Sequence, residues 1–306
     1  MDKNLKALVI GGNGFIGYNL VKRLRSDGWY VKVIDIKPFA YGKYDANEIQ
    51  IADASTWKLD RHYDRIYQLA ADMGGAGFVF TKENDADILT NSLSINLNIL
   101  KQVKEIGCGI IFFSSSACAY PDGVDGKESD AYPANPPFDY GWEKIISERM
   151  YQAYARNYGM NIRIARFQNT FGEYGTFKGG REKAPAAICR KVAEATESIA
   201  IWGDGKQVRP FIYIDDLLDG IEALMRSDYK ESINLGPSDS ITITELAELI
   251  IDISGKDLKI NYIAGPTGEM TRRCDNSLAK EILNWEPKTP LRESFEKTYQ
   301  WIKKSL

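Results

Sequence analysis

Short apolar runs punctuate the first half of the chain. Ala7–Ile10, Tyr30–Ile36, Arg65–Ala70 and Ile110–Ser114 are rich in β-branched and aromatic residues, the pattern of strands buried on both faces. Between the first two runs, Ile16, Leu20 and Leu24 recur every four residues, one face of a helix, and Asp27-Gly28 supplies a stop. Strand alternating with helix predicts βαβ units and a parallel sheet covered on both faces. Ile162–Phe167 and Phe211–Ile214 are two further predicted strands. Near the end, Leu291, Phe295, Tyr299 and Ile302 keep helical spacing, which predicts a terminal amphipathic helix that packs on the rest. The Pro/Gly-rich stretches 121–137 and 171–180 read as long loops, places where substrate-handling residues commonly sit.

Composition narrows the picture by exclusion. The chain has 306 residues, enough for two domains or one large α/β unit. A hydrophobic content of 44% with 26% charged residues is that of an ordinary globular protein and excludes wholesale disorder. With 39 basic against 42 acidic side chains, a net of -3, there is no electrostatic footprint for nucleic acid or for an anionic membrane. No apolar run approaches the ~18 residues of a membrane span, and Met1–Lys6 leads straight into the first strand without the parts of a signal peptide. The cysteines Cys108, Cys118, Cys189 and Cys274 are spaced by 10, 71 and 85, which fits neither a zinc ribbon nor a redox pair. They point to a reducing cytoplasm. A single histidine, His62 in the polar stretch Asp60–Asp64, removes any multi-histidine metal site, so no metal is expected.

The first chemical signal follows the first strand directly. In Gly11-Gly12-Asn13-Gly14-Phe15-Ile16-Gly17 the glycines permit a tight turn and close backbone approach, and the helix that Phe15 and Ile16 open offers unpaired N–H groups to a pyrophosphate. Asp35 stands at the end of the second strand, 18 residues after Gly17. An acid there accepts hydrogen bonds from ribose hydroxyls and repels a 2′-phosphate, which favours NAD over NADP, although Lys37 nearby pulls the other way. The fold class expected is therefore α/β, a Rossmann-type doubly wound parallel sheet with a smaller, partly interleaved C-terminal substrate domain. The economical division is an NAD-binding domain over 1–165 and a substrate domain over 166–306.

Tyr140 and Lys144 are four apart and so share one face of a helix. A tyrosine with pKa about 10 is a poor base at neutral pH, but an adjacent ammonium and a positive nicotinamide ring would stabilise its phenolate. Tyr140 would then take a hydroxyl proton while NAD takes the carbon-bound hydride.

The Gly11-x-x-Gly14-x-x-Gly17 spacing together with Tyr140-x-x-x-Lys144 resembles the extended short-chain dehydrogenase/reductase family, over almost the whole chain. The resemblance implies Asp53 as an adenine contact, Leu69-Ala70-Ala71 as lining of the cofactor cleft, and Asn96 as the family's structural asparagine, grouped with the cofactor-binding residues. It also implies that Ser116 hydrogen-bonds the oxygen served by Tyr140. Many members act on nucleotide sugars, and Ser115–Pro121 discriminates among them. Related 4,6-dehydratases carry an Asp-Glu pair where Ala117 and Cys118 stand, and 4-epimerases usually carry a small hydroxyl residue in place of Cys118. A cysteine beside the reacting carbons can serve as an acid or base.

Three further strings, Asp72–Phe78, Gly175–Ala186 and Trp202–Arg209, are similar to the branch of that family that epimerises GDP-mannose at carbons 3 and 5. That similarity implies Cys118 and Lys183 as an acid/base pair. It further implies Gly74, Ser116, Ala117, Asn169, Glu182, Lys183, Ala184, Lys191, Gln207, Arg209 and Arg272 as contacts to a GDP-sugar substrate, and a homodimer. Arginine suits a diphosphate because it pairs bidentately with its oxygens. Such a cycle needs a lysine held partly neutral, which burial beside other cations supplies. Relative to plant members of the branch, the loop between Cys118 and Tyr140 is shorter, and a C-terminal substrate contact has no counterpart. Rival readings stay open: a fucose-synthase-type 3,5-epimerase/reductase, which normally pairs its cysteine with a histidine and uses NADPH, a simple 4-epimerase or 4,6-dehydratase, and a non-catalytic NAD-binding scaffold.

Overall fold

The structure, a computed structural model, describes residues 5–42 and 45–306. Residues 1–4, at the head of the stretch read for a signal peptide, and 43–44 lie outside the described residues. In chain order the first half runs β1 (Lys6–Ile10), α1 (Phe15–Ser26), β2 (Tyr30–Asp35), β3 (Glu48–Ile51), β4 (Arg65–Gln68), α2 (Ala76–Val79), α3 (Asp85–Ile106), β5 (Ile110–Ser116), α4 (Asp139–Tyr158) and β6 (Ile162–Phe167). The second half runs β7 (Asn169–Phe171), α5 (Ala184–Glu194), β8 (Ser198–Trp202), β9 (Val208–Arg209), β10 (Phe211–Tyr213), α6 (Ile214–Arg226), β11 (Ser232–Leu235), β12 (Ile241–Thr242), α7 (Ile243–Ser254), β13 (Lys259–Ile263), α8 (Ser277–Leu283) and α9 (Leu291–Ser305).

Seven strands form one parallel sheet in the order β11-β6-β5-β4-β1-β2-β3. From β1 the chain moves outward to β2 and β3 on one side, then outward through β4, β5 and β6 on the other. The reversal between β1 and β4 opens a crevice at the carboxyl ends of those strands. Alternate residues feed two apolar layers, because successive strand side chains point to opposite faces. Ala7, Val9, Val31, Val33 and Phe112 join the layer that holds Phe295, Tyr299 and Ile302 of α9. Leu8, Ile10, Ile34, Ile111 and Phe113 join the layer that holds Ile99 and Val103 of α3 and Tyr151 of α4.

The strands with continuous apolar runs fall where the pattern placed them. Gly28, with φ +82, follows the end of α1 and matches the expected stop. The predicted strand Phe211–Ile214 ends at Tyr213 and pairs with β7 outside the main sheet, while Ile214 opens α6. Two sheet strands were not predicted. β3 is an edge strand with Ile49 and Ile51 exposed. β11 is fully buried, but half of its side chains are polar and are taken up by partners. Ser232 donates to Glu148 Oε2 at 2.7 Å, and Asn234 Oδ1 accepts from the Tyr120 hydroxyl at 2.6 Å. Glu148 of α4 also holds Arg166 of β6 through two contacts, at 2.7 Å and 2.9 Å, and accepts from Ser115 of β5. One buried carboxylate thus ties three strands to a helix. Among the described residues, no helix is long and apolar enough to cross a membrane, and no cluster of His, Cys, Asp or Glu could hold a metal ion.

Candidate active site

A cleft of about 1280 Å³ opens at the carboxyl ends of the sheet and extends under the segments that follow β7 and β13. Its cofactor end is shaped by missing side chains. Gly11 has φ +82, and a Cβ there would lie 2.7 Å from the Ala70 nitrogen. A Cβ on Gly17 would run into the Gly11 carbonyl oxygen, so the helix can sit this close to the turn only as glycine. Gly14 caps α1, and the first N–H groups of a helix have no intrahelical acceptor. This cradle fits a dinucleotide pyrophosphate. Asp35 is aimed by backbone donors, the N–H of Asn13 at 2.9 Å and of Lys37 at 3.0 Å. Asp53 accepts from the Ser55 N–H at 2.8 Å and lines the cleft, as do Phe15, Ile16, Leu69, Ala70 and Ala71.

Asn96 has a structural place and no direct position on the cofactor cleft. It lies behind the cleft wall and does not line it. Its Oδ1 accepts from Gln68 at 2.9 Å, and its Nδ2 donates to Ser147 at 2.9 Å and to Glu143 at 3.3 Å. The residue bonds β4 to α4 from within α3, a polar strut under the site.

Tyr140 and Lys144 sit one turn apart on α4, and both line the cleft. The Lys144 ammonium is 5.3 Å from the Tyr140 ring centroid. Burial pushes the Tyr140 phenol up to about 12, against the pull of Lys144 and of a hydrogen bond with Ser116. In the chain by itself, desolvation therefore outweighs the ammonium that the spacing argument relied on. Part of the reason is Glu143, which the sequence reading did not single out. Its Oε2 lies 3.0 Å from Lys144 Nζ, fully buried, and shares that positive charge. Burial works to lower the Lys144 pKa, but Glu143 and Tyr140 raise it by more.

Ser116 ends β5 and accepts from the Cys118 N–H at 3.2 Å, capping a single 3-10 turn over Ala117–Ala119. The turn sends neighbouring side chains opposite ways. Cys118 faces the cleft. Ala117 packs downward with Ala119, Tyr120, Ala131 and Ile145, so the expected substrate contact at Ala117 does not line the cleft.

The opposite wall comes from the strings Asp72–Phe78 and Gly175–Ala186, which meet. Gly75 donates its N–H to the Arg181 carbonyl at 3.0 Å, and a Cβ on Gly75 would collide with the Glu182 carbonyl oxygen. Arg181 pairs with Asp72 at 2.8 Å and lies 3.9 Å over the Phe78 ring. This contact sets Lys183 at the N-cap of α5. Burial draws the Lys183 ammonium below its ordinary range; nearby Cys118 opposes this, while Arg272 and Lys144 add to it. Arg272 donates from Nη1 to Cys118 Sγ at 3.2 Å and is gripped by Glu269 at 2.6 Å and 3.0 Å.

The remaining expected substrate contacts surround this group. Arg209 donates to the carbonyls of Val208, Thr267 and Glu269, and burial, with Arg272 adding to it, draws its pKa down to about 10. Lys191 donates to the Ala200 carbonyl at 2.6 Å and lies 6.0 Å from the Trp202 ring centroid. Glu182 accepts from the Gly180 N–H at 2.7 Å, and Asn169 donates to the Pro210 carbonyl at 3.3 Å. Gln207 is buried with its carbonyl oxygen unpartnered among the described residues. These residues, with Gly74 and Ala184, line the same cleft as the cofactor cradle. The structure adds Glu143 and Glu269. The first was adjacent to Lys144 in the chain, and the second stands three residues before Arg272, the spacing of an ion pair on one turn.

Comparison with known proteins gives consistent neighbours. The sequence pattern of the NAD dependent epimerase/dehydratase family matches residues 7–236. GDP-mannose 3,5-epimerase 1 of Oryza sativa subsp. indica is 38% identical over 317 residues, spanning 100% of this chain and 83% of the rice protein. The GDP-mannose 3,5-epimerase of Arabidopsis thaliana is also 38% identical, over 318 residues, spanning 100% of this chain and 84% of its own. Among solved structures, UDP-glucose 4-epimerase of Thermotoga maritima with UDP-glucose superposes with a TM-score of 0.88 at 25% identity, covering 98% of this chain and 99% of that one.

Proposed function

Because the chain belongs to the NAD dependent epimerase/dehydratase family, we propose that it epimerises a GDP-hexose of the GDP-mannose kind at carbon 5, carbon 3 or both, through a transient 4-keto sugar. Family membership and the full-length identity to curated epimerases make it an NAD-dependent nucleotide-sugar enzyme. The base, the sugar and the carbons are the proposal. The observation that carries it is the meeting of Cys118 and Lys183 in the cleft that Tyr140 lines, with Arg272 on the sulfur and the lysine held below its ordinary range.

Gly11, Gly14 and Gly17 would hold the cofactor's pyrophosphate, and Asp35 its ribose hydroxyls. Bound NAD supplies an acceptor for the hydrogen of carbon 4 and later returns it, so the cycle has no net redox change. Tyr140 takes the proton of the carbon-4 hydroxyl, with Lys144 and Ser116 beside it to stabilise charge on oxygen. The resulting ketone acidifies the hydrogens on the neighbouring carbons 3 and 5. One of Lys183 and Cys118 removes such a proton from one face, and the other donates a proton to the opposite face. Tyr140 returns its proton as the ketone is reduced. General acid–base groups of this kind contribute about 10²- to 10⁴-fold in rate, and that is the loss expected for Cys118→Ala.

The reductase alternative draws no support from the histidine. His62 is exposed and lies beside Gly107, ahead of β5 and at the far end of the sheet from the cleft. Incubation with GDP-mannose in deuterated water, with no added cofactor, tests the proposal directly. Deuterium entering carbon 3 or carbon 5, followed by NMR, is the expected result. No exchange at either carbon would remove this substrate, and net NADPH consumption with a 4-keto sugar would favour the reductase.

A further inference from the structure

Glu269 lies in the segment between β13 and α8 and is 7% exposed. Both of its carboxylate oxygens are taken by one guanidinium: Arg272 Nε reaches Oε2 at 3.0 Å and Nη2 reaches Oε1 at 2.6 Å. A guanidinium is planar, so a carboxylate gripping one edge fixes where the remaining nitrogen points. Here Nη1 points at Cys118 Sγ, 3.2 Å away. The Nε/Nη2 edge is already filled by Glu269. Arg272 also shares its wall with the cations Arg209 and Lys183, so Glu269 is a counter-charge on a wall that is otherwise positive.

We infer that Glu269 is a positioning residue for the acid–base cysteine: it holds Arg272 with Nη1 on the Cys118 sulfur and offsets the guanidinium charge felt there. The offset matters because the sulfur must both release and regain a proton within one turnover. Without Glu269 the full guanidinium charge would fall on the sulfur, and without Arg272 the sulfur would lose its charged donor. The inference rests on the acid–base role proposed for Cys118.

Its test uses the rate at which iodoacetamide alkylates Cys118 at one fixed, near-neutral pH, read by peptide mass spectrometry on the NAD-loaded protein. Only the thiolate reacts. Glu269→Gln keeps the shape but removes the charge, and is expected to speed alkylation roughly threefold to tenfold. Arg272→Met is expected to slow it by a similar factor. Opposite signs separate an electrostatic role from loosening, which would speed both. In turnover, Glu269→Gln should lower kcat about tenfold and leave KM for the sugar nucleotide within about twofold of the parent. Equal or like-signed alkylation changes, or a raised KM at unchanged kcat, overturn the inference. Wild-type turnover in Cys118→Ala overturns the proposed function and, with it, the catalytic purpose of the pair. Lost turnover in Cys118→Ala with unshifted alkylation in Glu269→Gln overturns this inference alone.

Discussion

An ammonium at a helix N-terminus, partly withdrawn from water and among other cations, is held against three electrostatic gradients. Lys183 occupies that place: it is the N-cap residue of α5, where the helix dipole disfavours positive charge, and burial together with Arg272 and Lys144 lowers its affinity for a proton. Between its lowered value and the ordinary lysine value of 10.5, the folded chain binds fewer protons than the unfolded one. Stability from this group therefore rises with pH across that window and is reduced below it. Lys183→Met is accordingly expected to raise the thermal unfolding midpoint at neutral pH while cutting carbon-bound exchange about 10²- to 10⁴-fold. A midpoint that stays level or falls would mean that Lys183 is not strained in the fold. At this scale much of the candidate site was legible, because Cys118, Tyr140, Lys144 and Lys183 stand in short recognisable strings and line one cleft. Glu269 was not, since its worth comes from Arg272, whose contact with Cys118 spans 154 residues. Ala117 was misread because a 3-10 turn, invisible in composition, sends it into an apolar cluster while Cys118 beside it faces the cleft.

Two turns that look alike in the chain have separate work among the elements. Gly17 lets α1 close on the Gly11 carbonyl, and Gly75 lets the Asp72–Phe78 segment lie against the Glu182 carbonyl. Gly17→Ala is expected to strip NAD from the purified protein, because the helix N-terminus must withdraw from the cradle. Gly75→Ala should keep its NAD and lose turnover by about 10²-fold or more, since a small displacement of Lys183 from a near-attack position is enough. The ultraviolet spectrum of the released cofactor, set beside exchange rates, separates the two; loss of NAD in both would remove the distinction. Strands of continuous apolar residues were legible because burial on both faces demands that pattern. β11 escaped because Ser232 and Asn234 satisfy buried partners in place of apolar packing, and β3 because an edge strand tolerates exposed polar residues beside Ile49 and Ile51.

At the scale of the whole molecule, the main sheet is closed at its edge by β11, a strand from the second half of the chain. β6 is buried along its length, and Arg163 within it donates to the carbonyls of Leu224, in the last turn of α6, and Ser227, just after it. A fragment ending at Phe167 would keep the glycine cradle and Tyr140 but leave β6 as an open edge with Arg163 stripped of those acceptors. It is expected to show no cooperative unfolding transition and to bind a hydrophobic dye; a sharp transition with NAD bound would refute this. The placement of β11 also sets a timetable. Domains generally fold as units when their last required segment leaves the ribosome, and pairings distant in sequence form late. Here the segment that completes the nucleotide-binding sheet, Ser232–Leu235, is made only after Cys118, Tyr140, Lys144 and Lys183 have emerged. A nascent chain carries an unfinished sheet through most of its own synthesis, and capture of the cofactor becomes one of the last events of assembly.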